Sequence, residues 1–170
     1  MHETYMRRAI ALAGQSVDTP GSLPFGAVVV RDGEIIGEGL NRSEANSDPT
    51  SHGEVEAIRD ACRRLGVTTL IGADLYTNCA PCPMCLSTMY LVGIKALYYA
   101  AGPEDGGELF RRLIAHDGKW ARPISAADLR HELAQPADQR KMPSHQVLAD
   151  EARPVFDAFV ARQTTGGEGG

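Results

Sequence analysis

Apolar positions recur at helical spacing in some stretches of the chain and alternate in others, and the change of period marks out the elements. Met6, Ala9, Ile10, Ala13 and Val17 fall on one stripe, so residues 3–18 read as an amphipathic helix, ended by the turn-rich DTPGSLPFG. Two β-rich runs in GAVVVRDGEIIGEGLN flank Asp32-Gly33, a two-residue hairpin signal, and predict antiparallel strands at about 26–31 and 34–40. A polar loop covers 41–51. Val55, Ile58, Ala61, Cys62 and Leu65 form a second stripe over 53–65, closed by Gly66. DLYTN (74–78) reads as a strand, 82–92 as a helix and KALYYAA (95–101) as another strand, which suggests a parallel crossover within a sheet covered by helices. Beyond Gly102 the pattern weakens. Helices are expected at about 106–115 and, capped by Ser125, at 126–134; a clearer one at 146–162 carries Leu148, Ala152, Val155, Phe156 and Phe159. The polar, glycine-rich end QTTGGEGG is expected to be flexible. The chain therefore reads as α/β, with one domain over 1–163 and a tail over 164–170.

Composition narrows the partners. With 170 residues, 43% hydrophobic and 23% charged, the chain is large enough to bury a core without disulfides and has an ordinary soluble composition. A net charge of −5 and a pI near 5.5 argue against a nucleic-acid partner, because a phosphate backbone is bound mainly by clustered Lys and Arg. Arg7-Arg8, Arg63-Arg64 and Arg111-Arg112 lie beside apolar helical positions and read as solvated faces. The N-terminal segment MHETYMRRAIALAG lacks the apolar core of a signal peptide, and no run approaches the roughly 18 apolar residues of a membrane span. A cytoplasmic protein with a small-molecule partner and no membrane or nucleic-acid partner is expected. A reducing cytosol disfavours structural disulfides, which leaves closely spaced cysteines to metal or redox chemistry.

Three of the four cysteines, Cys79, Cys82 and Cys85, fall at three-residue intervals in NCAPCPMC. A catalytic zinc site has three protein ligands and keeps its fourth position for water, whereas a structural site is closed by four. His52 in TSHGEVEA completes a set with Cys82 and Cys85, both cysteines at a helix start where the dipole favours thiolate. Glu54 then remains for proton transfer. Cys79, upstream of Pro81 in the turn that leaves the strand, would reach the metal only by closing the open position. Two other readings are a zinc-stabilised module without turnover, with Cys79 as fourth ligand, and a redox pair that leaves His-x-Glu unexplained.

His52-Gly53-Glu54 followed by Pro81-Cys82-Pro83-Met84-Cys85 resembles the signature of the zinc-dependent cytidine-deaminase-like superfamily. LPFGAVVVRDGEIIGEGLN, SDPTSHGEVEAIRDAC, LYTNCAPCPMC and QPADQRKMPSHQV are similar to segments of the nucleobase-deaminase branch, above all the bacterial guanine deaminases. The resemblance implies a three-layer α-β-α fold around a mixed five-stranded sheet, one Zn2+ per chain and a homodimer. It also implies hydrolytic deamination of a free aminated heterocycle by zinc-bound hydroxide, with guanine first and a triazine, pterin, isocytosine or cytosine as alternatives. Glu54 takes the role of proton carrier, and Asn41 that of hydrogen-bond partner to the substrate carbonyl. The backbone amides of Gly53 and Cys82, with Pro81, lie near the reacting ring, and Phe25 is a candidate apolar wall. The chain departs from these relatives in having Gly53 where Ala is usual, NCAPC instead of SCEPC, and no Phe-Asp-Asp stretch after the last strand. Asp105, Glu104 or Glu108 is the substitute carboxylate to examine. His145, near MPSHQ, is a further candidate for the pocket lining.

Overall fold

The computed structural model describes residues 1–165. Helix α1 (His2–Gly14) is followed by a short 3-10 turn and the hairpin of β1 (Leu23–Arg31) and β2 (Glu34–Asn41). Then come α2 (Gly53–Leu65), β3 (Asp74–Cys79), α3 (Pro83–Val92), β4 (Ala96–Ala101) and α4 (Pro103–His116). Asp32 and Gly33 take φ of 53° and 82°, the two left-handed positions a tight hairpin turn needs, so the expected hairpin forms where these residues stand. The strands lie in the order β2-β1-β3-β4; β1 runs antiparallel to both β2 and β3, and β3 and β4 are parallel across the α3 crossover.

The two sheet faces bury different sets. Leu12 of α1 packs with Val28, Val30 and Tyr76 on one face. Ala27, Val29 and Leu75 meet Val55, Ala57, Ile58 and Ala61 of α2, with Cys85 and Met89 of α3, on the other. This is the three-layer arrangement expected. The stripe of α1 is turned from the predicted one: Leu12 is buried, whereas Ile10 and Val17 are exposed.

The sheet has four strands among the described residues, which corrects the expectation of five. Gly102 ends β4 in extended geometry, Pro103 occupies the first helical turn, and Asp105 Oδ2 accepts from Gly102 N at 2.8 Å. That cap turns the chain into α4 and away from the sheet. Three residues of the helix expected from 106 were therefore missed, because the cap signal lies in Pro103 and Asp105 and not in the apolar period.

The contacts group into two units, Met1–Ala126 and the segment from Ala127 onward. In the second, α5 (Ala126–Ala134) and α6 (Ala149–Thr165) flank a stretch in which Lys141 N donates to Glu132 Oε2 at 2.9 Å and Arg140 Nε to Gln135 O at 3.0 Å. α6 exposes Val155, Phe156, Phe159 and Val160. The expected tail begins inside α6, and residues 166–170 lie outside the described residues.

Close backbone approach places α2. A Cβ at Gly39 would lie 2.2 Å from Gly53 O and 2.3 Å from Ala57 N, so only glycine lets the first turn of the helix rest directly on β2. Gly39→Ala is expected to destabilise the protein by about 2–3 kcal/mol in denaturant unfolding. Gly107→Ala, at a helical position with nothing within 4 Å of the added methyl, is expected to stabilise by about 0.5–1 kcal/mol.

Candidate active site

Two helix N-termini converge on one point. His52 is the N-cap residue of α2 and Cys82 that of α3, both with extended backbone, and Pro83 opens α3 at a position where its missing N–H has no consequence. Cys85 lies within the first turn of α3, fully buried. His52 Nδ1 is 3.6 Å from Cys82 Sγ and 3.5 Å from Cys85 Sγ, and the two sulfurs are 3.6 Å apart. Tetrahedral zinc with its usual bond lengths requires S···S edges of about 3.8 Å and S···N edges of about 3.6 Å. The donor triangle therefore fits zinc in size as well as in chemistry, and these residues are the ligand cluster found among the described residues.

Proton sharing within the triangle is strong. The hydrogen bond from Cys85 pulls Cys82 down to about 4 against the opposing effect of burial, with His52 adding to the drop. The same hydrogen bond pushes Cys85 up, so the negative charge resides on Cys82. Burial alone lowers His52, but the hydrogen bond and charge of Cys82 and the charge of Glu54 raise it above the ordinary imidazole value. Zinc binding to such a set displaces these protons.

Glu54, in the first turn of α2, is 5% exposed. Desolvation raises its pKa, and its neighbours are His52, Cys82 and Cys85. A buried carboxyl with a raised pKa beside a ligand set, but outside it, has the environment that proton-transfer groups require. Cys79 is also outside the set. Its Sγ points to Gly102 O at 3.7 Å, and burial, followed by the charge of Glu54, pushes its thiol pKa up. The geometry thus groups three ligands, not four.

Asn41 is buried at the end of β2, and its Oδ1 accepts from Ser43 N at 3.1 Å and Ser43 Oγ at 2.9 Å. Because the Ser43 N–H must meet an oxygen, the amide is oriented with Nδ2 as the group able to donate to a carbonyl. Gly53 fits beneath β1: a Cβ there would lie 2.4 Å from Phe25 O. Pro81 is buried in the turn between β3 and α3. Asp105 is engaged as the cap of α4 and not with the triangle. Glu108 pairs with Arg111, and Glu104 is exposed. His145 belongs to the second unit and is exposed there.

Several supporting residues had no signal in the pattern. Asn78 donates from Nδ2 to Pro24 O at 3.0 Å and accepts from Gly26 N at 2.8 Å, clamping the irregular start of β1 on either side of Phe25. The loop before His52 is held by Ser51, whose Oγ donates to Glu56 at 2.8 Å and whose carbonyl accepts from Arg42 N at 2.9 Å. Arg59 extends that network, donating to Glu56 at 2.6 Å. Arg122 reaches Glu44 at 3.2 Å and is near enough for its charge to oppose protonation of His52. Only Asn78 was marked beforehand, as a departure from the relatives.

The cytidine and deoxycytidylate deaminase zinc-binding region matches residues 1–101, which include His52, Glu54, Cys82 and Cys85. Guanine deaminase of Bacillus subtilis is 40% identical over 158 residues, 93% of this chain and 93% of its own. The crystal structure of a guanine deaminase from Bacillus subtilis superposes with a TM-score of 0.79 at 39% identity, covering 95% of this chain and 94% of that one. A tRNA-specific adenosine deaminase of Agrobacterium fabrum is 38% identical over 104 residues, 61% of this chain and 68% of its own. With the ligand triangle, the buried carboxyl and these similarities in agreement, the chain belongs to the zinc-binding cytidine and deoxycytidylate deaminase family and is a zinc-dependent hydrolytic deaminase.

Proposed function

We propose that the protein deaminates guanine as a free base, with His52, Cys82 and Cys85 as the zinc ligands and Glu54 as the proton carrier. The observation that carries this reading is the reach of the similarity to guanine deaminase, which spans 93% of both chains and so extends past the shared region that ends at residue 101. The similarity to the tRNA-specific enzyme covers 61% of the chain, and the charge of −5 disfavours a folded RNA.

Zinc held by His52, Cys82 and Cys85 would supply a bound water of lowered pKa, available for attack at neutral pH. Glu54, its carboxyl pKa raised by burial, takes one proton from that water and gives it to the ring nitrogen, then takes the second proton from the hydroxyl added to the ring carbon and gives it to the amine that leaves as ammonia. Asn41 Nδ2 donates to the substrate carbonyl, and the backbone N–H groups of Gly53 and Cys82 orient the ring at the two helix starts. Phe25, clamped by Asn78, forms an apolar face, with Pro81 beside it. Asp105 keeps its capping role, and His145 is assigned none.

We take the protein to be a homodimer in the cytoplasm. Exposed Tyr90 and Leu91 on α3 and the exposed apolar residues of α6 favour a partner surface. Four free cysteines, two of them in a thiolate site that oxidation would destroy, favour a reducing compartment.

Metal analysis of the purified protein is expected to give one zinc per chain. Cys82→Ser and His52→Ala lose it, while Cys79→Ala retains it; loss in Cys79→Ala would instead indicate a closed, four-ligand site. Ammonia release from guanine is expected in the wild type. Glu54→Gln should keep zinc and fold and lose turnover by about 10²–10⁴-fold. Normal turnover in that variant would remove Glu54 from its role, and release from another aminated ring but not from guanine would reassign the substrate.

A further inference from the structure

Residues 103–122 leave the sheet after β4 and run from the end of β3 to the loop before His52. A Cβ at Gly106 would lie 3.1 Å from Cys79 Sγ, so α4 rests closely on the end of β3. One turn later, Phe110 stacks on Phe25 with ring centroids 6.0 Å apart and planes 18° from parallel. Gly106 and Phe110 are four residues apart and share a helix face. The far end of the segment is tied by Arg122 to Glu44, in the loop that leads to His52. The segment thus touches Cys79, three residues before a ligand; Phe25, whose carbonyl meets Gly53; and the approach to His52. The match to the deaminase zinc-binding region ends at residue 101, so Gly106, Phe110 and Arg122 lie beyond it while their partners Cys79, Phe25 and Glu44 lie within it.

We propose that Phe110 is a specificity-determining residue, extending the aromatic face of Phe25 into a wall wide enough for a fused two-ring substrate. The proposal rests on the guanine reading above. A single phenyl face matches a six-membered ring, and two nearly parallel rings on adjoining elements extend the apolar surface over the second ring. Such a wall excludes water from the far side of a purine and contributes through stacking, which is worth about 10- to 100-fold in affinity per base. It adds little for a one-ring substrate, which Phe25 already covers.

Equilibrium binding separates this role from a structural one. In zinc-loaded Glu54→Gln protein, Phe110→Ala is expected to weaken guanine binding by about 10- to 100-fold and to leave isocytosine, the one-ring half of guanine, little changed. Phe110→Tyr should restore guanine affinity, and zinc content and Tm should match the parent throughout. Unchanged guanine affinity in Phe110→Ala overturns the proposal, and so does an equal loss for both rings, which would mark a general collapse of the site. Failure of the wild type to release ammonia from guanine, with binding by Glu54→Gln retained and sensitive to Phe110, overturns the guanine-turnover reading and leaves the wall standing.

Discussion

The site depends on backbone contacts: α2 lies so close to the sheet that there is no room for a side chain at Gly39 of β2, against Gly53 and Ala57, or at Gly53, against Phe25 of β1. Those contacts bring the first turn of α2, with His52 and Glu54, to the edge of the sheet where β3 delivers the turn into α3. Both helices begin with a metal-type donor at the N-cap, so the positive ends of two helix dipoles face the same point. Such a point favours thiolate, and it favours the oxygen anion that hydrolysis needs. Burial supplies the other half of the electrostatics. Glu54 lies beside the ligands in a low-dielectric environment that raises its pKa, the reverse of what the hydrogen bond from Cys85 does to Cys82.

The ligand triangle has the dimensions of a metal site because the backbone fixes them. His52 and Cys82 are held by extended N-cap geometry, and Cys85 by the helical turn that separates it from Cys82. The remaining cysteine of the motif, Cys79, shows how small a displacement separates ligand from neighbour. Cys79 is the last residue of β3, its thiol directed at Gly102 O and its pKa raised by burial. Strand geometry points it at α4, whereas Cys82, past the buried Pro81, has already turned into the next element.

How much of this was legible in the sequence depends on the range over which each determinant acts. The hairpin at Asp32-Gly33, the α2 stripe and the β3-α3-β4 crossover follow from local period and turn chemistry, and they stand as expected. So does the metal set, whose residue types and spacing carry their own meaning. The fifth strand came from the resemblance and not from any period in this chain, and past Ala101 the described residues form helices, 3-10 turns and loops only. Asn78, Phe110 and Arg122 act through contacts with residues far along the chain, and Ser51 and Arg59 through an irregular loop network, neither of which a period encodes. Asn78 alone left a trace, as an unusual residue beside a familiar motif.

That trace has a physical partner. Gly53 and Asn78 are both departures from the related deaminases, and both act on the same three residues, Pro24 to Gly26. From one side Asn78 fixes the carbonyl of Pro24 and the amide of Gly26; from the other, the missing Cβ of Gly53 admits the carbonyl of Phe25 to a position a methyl group would occupy. The clamp holds the backbone where the glycine leaves space, so the two substitutions form one arrangement. Their joint effect falls on the ring of Phe25, which is carried by that backbone and meets Phe110 on the other side. The ligand triangle and Glu54 are set by the two helix starts, and the ring of Phe25 is set separately by β1. The ring of Phe25 can therefore be re-aimed through β1 without disturbing the ligands.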